Sequence, residues 1–278
     1  MPYKKGEPIL WEHLTWDEAE AICKKVGMAI ICVGAIEQHG PHLPVNVDIS
    51  INYEIGKRIS AATGVPVLPP IYPGVSESHG FAGTLYVRPE TLSMMMYDIC
   101  RSLYEKSRVK KILVINGHMW NQAANLAIRD NIRCDYEDLQ IRVLNWWDFD
   151  KEVYALVASD CPLGRSLHAN IGETACMLAI SPELCDMKKA KRLKVDTPEY
   201  PHFWDYREEE MTKSGVMGSA ATKATAELGE KILSLAAGKL IAEVKKALKE
   251  KPRYRAPNKL ARPPGGEGSK KKQPLSFT

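Results

Sequence analysis

The 278-residue chain carries 38 basic and 34 acidic side chains, 45% hydrophobic residues and seven cysteines, an ordinary globular balance. Its length suits one α/β domain and excludes a small fold that depends on staples. The positive excess sits in the eight basic residues from Lys251 onward, opposed only by Glu267, so the body is slightly acidic and no nucleic-acid partner is expected.

No stretch approaches the roughly 20 apolar residues that cross a bilayer, and the start of the chain lacks a signal-peptide core. No membrane association and a cytoplasmic location are therefore expected. Cysteines 23, 32, 100, 134, 161, 176 and 185 are scattered, with no Cys-x-x-Cys pair, as for small buried hydrophobes in a reducing compartment.

In chain order, the β-branched run Ala29 to Val33 predicts a buried strand that ends at Gly34. Ile49 to Ala62 predicts a helix, with Ile51, Ile55 and Ile59 at spacing four, and Val65 to Leu68 predicts a second strand. Residues 71–88, broken by Gly74, Gly80 and Gly83, read as an excursion near the strand ends. Pro89 to Tyr104 is helical in pattern, Lys111 to Ile115 is a strand, Trp120 to Ile132 is a helix, and Leu139 to Leu144 is another strand. A long amphipathic helix is expected over Ala220 to Leu248. This alternation argues an α/β fold with a parallel sheet flanked by helices. It forms one domain over residues 1–250, followed by a basic Pro/Gly/Lys-rich tail over 251–278 that reads as a solvated extension.

In such sheets, ligands gather beyond the C-terminal ends of the strands. The first strand is followed by Glu37-Gln38-His39-Gly40-Pro41-His42-Leu43-Pro44 and then Asp48; the Lys111 strand is followed by Asn116-Gly117-His118. Mixed imidazole and carboxylate groups suit a divalent Zn, Mn or Fe ion. Glu37 and His39, two apart in an extended loop, point the same way, and Asp48 has two oxygens with which to bridge two ions. A lone loop histidine is more often a satisfied polar residue, and that reading is kept for His42 and His202. Glu37, His39, Asp48 and His118 after separate strands are hard to explain by packing. Asp48 is also expected to cap its helix. In a third cluster, His168 to Thr174, Glu173 opens an apolar run and faces the site or serves the helix dipole, while a histidine beside a metal-bound water is a natural proton shuttle.

Together these clusters resemble the creatininase (creatinine amidohydrolase) family, whose Glu-x-His-Gly-x-His-Leu-Pro…Asp signature is matched from Glu37 to Asp48. Asn116-Gly117-His118, His168 to Thr174, the Ser76 to Thr84 stretch and the Gly215 to Gly229 region are similar to further family segments, over roughly residues 10–245. The resemblance implies a three-layer α/β/α sandwich with a mostly parallel central sheet, assembled as a homo-oligomer such as a hexamer. It implies one ion on Glu37, Asp48 and His118, and a second on His39 and the bridging Asp48. Glu173 completes the second position or orients the water, and His168 is the general acid. The implied activity is hydrolysis of a C–N amide bond in a small molecule such as a cyclic amide or formamide, with one or two divalent ions per subunit. Where creatinine-cleaving members carry a ligating Glu two residues beyond the Asn-Gly-His histidine, this chain has Trp120. His79 and Trp120 are the expected substrate contacts, with Arg88, Trp146 and Trp147 as further candidates. A metal-dependent lactonase, lyase or sugar isomerase on the same ligands, or a non-catalytic metal-binding assembly protein, are the alternative readings.

Overall fold

The computed structural model describes residues 4–159, 168–190, 207–217 and 221–251. The run after Gly27 forms β1 (Met28–Val33), buried along its whole length. It pairs with β2 (Lys111–Asn116), which pairs with β3 (Gln140–Asn145); both pairings are parallel, with Val33 opposite Asn116 and Asn116 opposite Asn145. The three strands therefore end in line, and the polar segments that follow them emerge along one edge.

The strand expected over Val65 to Leu68 is present only as bridges on the free side of β1, Ile30 to Val67 and Val33 to Ile71. Ile30 N donates to Pro66 O and Ile71 N to Cys32 O, but Pro66, Pro69 and Pro70 have no N–H with which to continue a ladder. The excursion over 71–88 is tied down by bridges from Ile36 to Leu85 and from Gly74 to Tyr86.

Side chains alternate across the sheet and define two cores. Ile30, Cys32, Leu113 and Ile115 pack under Ile51, Ile55 and Ile59 of α2 (Val47–Thr63), together with residues of α5 (Lys151–Val157), α6 (Ile171–Ile180) and α8 (Ala226–Lys249). Ile31, Val33, Ile112 and Val114 pack on the other side with Cys23 of α1 (Trp16–Val26), Leu92 and Met96 of α3 (Pro89–Ser107), and Ile128 and Ile132 of α4 (Gln122–Asp135). Helices on both faces of a parallel sheet make the expected three-layer α/β/α sandwich. Lys111 Nζ donates to the carbonyls of Ala247, Leu248 and Glu250, so the start of β2 holds the end of α8.

Several expectations shift. Asp48 is not the helix cap: Asn46 takes that position, and Asp48 lies in the first turn of α2. The helix expected from Trp120 opens as a 3-10 turn, Met119–Asn121, before α4. The long C-terminal helix starts at Ala226, capped by Thr225, whose Oγ1 accepts from Leu228 N. Trp146 and Trp147 are core residues of the α2 side, because the chain turns inward after β3. Arg88 is exposed at the start of α3. His202, Cys161 and residues 252–278 of the tail lie outside the described residues.

Candidate metal centre

Glu37 and His39 leave the end of β1 and His118 leaves the end of β2, while the first turn of α2 carries Asp48 between them. That approach needs glycine: a Cβ on Gly117 would fall 2.1 Å from Asp48 O, and one on Gly34 2.8 Å from the same carbonyl. Asn52, one turn further along α2, donates to the carbonyls of Val33 and Ile115 and locks the helix onto both strand ends. A short four-residue helix, α7 (Glu208–Met211), packs beside the 71–88 excursion, with Glu208 N donating to Ser78 O.

The structure brings the expected ligands together in two sets that share Asp48. Glu37, Asp48 and His118 form one and His39, Asp48 and Glu173 the other, and in each set the donor atoms lie within 4.8 Å of one another. His118 Nδ1 is 2.8 Å from Glu37 Oε2 and 3.2 Å from Asp48 Oδ2. His39 Nε2 is 3.3 Å from Asp48 Oδ1 and 3.9 Å from Glu173 Oε1. Donor atoms on one ion at about 2.0–2.1 Å sit roughly 3.3 Å apart in a tetrahedral arrangement, so these spacings fit an ion. Moreover, His39 Nε2, Asp48 Oδ2 and Glu173 Oε2 are buried without a hydrogen bond. Such orphaned polar atoms are costly unless a cation takes them up. Among the described residues no Lys or Arg lies within ion-pair range of the three carboxylates.

The other nitrogen of each ring is already engaged. His118 Nε2 lies 2.8 Å from Val75 O, and His39 Nδ1 lies 3.0 Å from Glu37 O. Each carbonyl takes an N–H, which leaves His118 Nδ1 and His39 Nε2 as lone-pair donors facing the carboxylates. Ser76 Oγ donates to Glu37 Oε2 and fixes that carboxylate.

Without a cation, protons do this work. Burial opposes charge on His118 and His39, but Glu37 and Asp48 hold His118 well above the ordinary range, and Asp48, Glu173 and Glu37 raise His39 to about 10. Burial likewise opposes charge on Glu37, yet His118 and His79 hold it well below the carboxylate range. Glu173 is pushed up to about 7 by burial, against the pull of His39. Burial and the charge on His39 hold His168 well below the ordinary imidazole range, against the pull of Glu37.

His168 sits beside both sets, its ring centroid 4.4 Å from that of His39 and its Nδ1 3.3 Å from Glu37 Oε1. His79, expected as a substrate contact, lies against Glu37, with Nε2 2.8 Å from Glu37 Oε1. Trp120, by contrast, stands 45% exposed, two residues beyond His118. His42 follows the plain expectation: it is buried and bonded to Thr174 Oγ1. Glu208 was not foreseen. It is buried, its carboxylate lies 3.9 Å from His79, and burial pushes it up to about 7. In sequence it belongs to an acidic run, Glu208-Glu209-Glu210, in which nothing sets it apart. Gln38 and Ser76 lie within the matched motifs, but nothing in the spacing marks them.

A parallel-sheet α/β/α sandwich with buried imidazoles and carboxylates at its strand ends defines the class: an α/β protein with a metal-type centre. The sequence model of the creatininase family (creatinine amidohydrolase) matches residues 12–244. Creatinine amidohydrolase of Pseudomonas putida is 31% identical over 243 residues, covering 80% of this chain and 91% of that protein. Mycofactocin precursor peptide peptidase of Mycolicibacterium smegmatis is 28% identical over 218 residues, covering 75% and 81%. A crystal structure of creatinine amidohydrolase (creatininase) aligns with a TM-score of 0.78 at 26% identity, over 87% of this chain and 99% of that chain. A mutant creatininase of Zn-Zn type and a creatininase described with Mn each align with a TM-score of 0.74 at 26% identity, over 87% of this chain and 99% and 100% of theirs. This chain belongs to the creatininase family.

Proposed function

We propose that this protein is a metal-dependent amidohydrolase that cleaves a C–N bond in a small molecule such as a cyclic amide or a formamide. The carrying observation is the pair of ligand sets sharing Asp48, which gives two adjacent cation positions at the strand ends. Glu37, Asp48 and His118 hold one ion and His39, Asp48 and Glu173 the other. Glu173 thus stands in for the carboxylate that Trp120 replaces. Zn, Mn or Fe suits these N/O donors, and the Zn-Zn and Mn forms among the similar structures support the choice. Bound there, such ions supply Lewis acidity and lower the pKa of a water. The chain's own residues hold the donors rigid, exclude bulk water by burial, and offer ring N–H groups to the reacting centre. His79 lines the inner wall and Trp120 the rim where the substrate enters.

The names of the similar proteins support hydrolysis of amide-type bonds, creatinine in one and a precursor peptide in another. The exposed Tyr72, Leu85, Tyr86, Met119 and Trp120 support a homo-oligomer, which light scattering would size. A cytoplasmic location is supported by the free thiols of the six cysteines among the described residues. No helix among these residues is long and apolar enough to cross a membrane. The body over residues 1–250 is proposed to act alone, with the basic tail as an appendage.

The test is to strip the protein with a chelator, reload it with each ion, and screen cyclic amides, formamides and lactones for released amine, formate or acid. Metal-dependent release of amine or formate is expected, with Asp48→Asn lowering kcat/KM about 10³-fold or more. Stripped protein that matches the loaded form, or turnover of lactones alone, would overturn the assignment.

A further inference from the structure

We infer that Glu208 is a substrate-binding residue whose carboxyl group accepts N–H groups from the nitrogen side of the amide, selecting free N–H substrates over N-alkylated ones. The inference deepens the amidohydrolase reading above and rests on it for the identity of the occupant.

Three consecutive acids, Glu208, Glu209 and Glu210, fare differently in α7. Glu209 Oε2 accepts from Gly80 N at 2.9 Å, and Glu210 Oε2 accepts from Arg207 N at 2.7 Å. Two of the three thus tie down a backbone N–H. Glu208 is the buried one, only 5% exposed, yet its Oε2 has no hydrogen-bond partner among the described residues. The one ionisable group within ion-pair range of it there is His79. At 3.9 Å, His79 Nε2 is beyond hydrogen-bond reach of Glu208 Oε1, and it already lies 2.8 Å from Glu37 Oε1. A buried oxygen in this state is costly until a donor reaches it.

The segment cannot easily turn this carboxyl away. Glu208 N donates to Ser78 O at 3.1 Å, and Thr212 N donates to Glu208 O at 2.9 Å. Thr212 Oγ1 in turn donates to Val216 O at 3.1 Å. The Glu209 carboxylate fits against the 71–88 excursion so closely that a Cβ on Gly80 would fall 2.4 Å from its Oε1. Glu208 is therefore held beside the pair of His79 and Glu37. Ser78 Oγ, adjacent to His79 in the chain, is a second buried oxygen without a partner.

A cation is not the missing partner. Glu208 belongs to neither of the two ligand sets, nor to the third group of metal-like spacing, Glu37, His79 and His168. No Lys or Arg among the described residues is within ion-pair range of it. A ligand must bring the donor, and beside a centre that hydrolyses amides the donor is an N–H of the substrate. A charged amidinium, which can offer two N–H groups to one carboxylate, suits the position best. A methyl group on that nitrogen would leave the carboxyl buried and unpaired, the condition under which discrimination is steep.

Calorimetric titration of the metal-loaded, full-length protein with acetamidinium reads this subsite without turnover. The wild type should bind about tenfold or more tighter than Glu208→Leu, with equal metal content. Glu208→Leu should also keep or raise the Tm of the ligand-free protein, because it removes an unpaired buried group. A smaller difference in affinity, a loss of bound metal or a clearly lower Tm would each overturn the inference. Should Glu208→Leu fail to fold, the near-isosteric Glu208→Gln must itself bind acetamidinium more weakly, and wild-type affinity there would overturn it. In turnover, the wild type should prefer succinimide to N-methylsuccinimide by about tenfold or more in kcat/KM, chiefly through KM. That preference should fall towards parity in Glu208→Leu, and an undiminished one would overturn the role. Should the loaded enzyme hydrolyse no amide, the amidohydrolase reading fails while the acetamidinium titration still decides the subsite.

Discussion

At the scale of single residues, Asp48 is the one side chain common to both proposed cation positions. Asp48→Asn should therefore reduce bound metal at both, whereas Glu173→Gln should spare the Glu37, Asp48 and His118 position and weaken the other. Metal analysis after dialysis would check this, and equal losses in the two variants would break the assignment of separate sets. The charge state of the metal-free site makes a second prediction. A histidine binds an ion only as the neutral ring, so filling the site must displace the protons held by His39, raised to about 10, and by His118, also raised. Calorimetry in buffers of different ionisation enthalpy should show roughly two protons released per filled pair near neutral pH. Apparent affinity should rise about tenfold per pH unit for each proton displaced. For the metal-free fold the sign is opposite. Charged His39 stabilises it in full below pH ~6.5, and that contribution fades as pH climbs through about 10.

At the scale of elements, the start of α2 is held against two strand ends by Gly34, Gly117 and Asn52. Gly117→Ala would force its Cβ onto the Asp48 carbonyl, 2.1 Å away, and backbone cannot yield as a flexible side chain does. A loss of about 1–3 kcal/mol in the metal-free protein and weaker metal binding are expected from denaturant titration and metal titration. Unchanged values in both would refute the wedge. The same elements show what the sequence makes legible. The β-branched runs after Gly27 and Lys110 and the four-residue spacing of Ile51, Ile55 and Ile59 encode burial periodicity, so strands and helix are readable. The clustering of Glu37, His39, Asp48 and His118 was readable because metal-competent side chains in Gly/Pro loops have few other uses. Asp48 as a cap was misread, since the helix begins two residues earlier than a cap at Asp48 requires. Glu208 could not be found, because burial of one acid within a run of three is decided by tertiary packing alone. Trp146 and Trp147 were ambiguous for a similar reason: an aromatic pair after a strand serves a core as well as a pocket.

At the scale of the whole molecule, Lys111 joins the first residue of the central strand to the last carbonyls of α8. A chain ending at Lys251 keeps all three acceptors and should match the full-length protein in thermal stability and metal content. One ending at Val244 loses them, and calorimetry should show a clearly lower Tm. A full-strength Val244 truncation would mean that the clasp contributes nothing.

The wedge of α2 between the two glycines also bears on how the protein could be redesigned. The proposed donors Glu37, His39, Asp48 and His118 are anchored to strand ends and a helix start that cannot move without collision, whereas the Met119–Trp120 pair and the Glu208–Met211 segment lie beside the site outside the proposed ligand sets. Exchanging those two short pieces offers a route to new substrate preferences on an unaltered reactive platform.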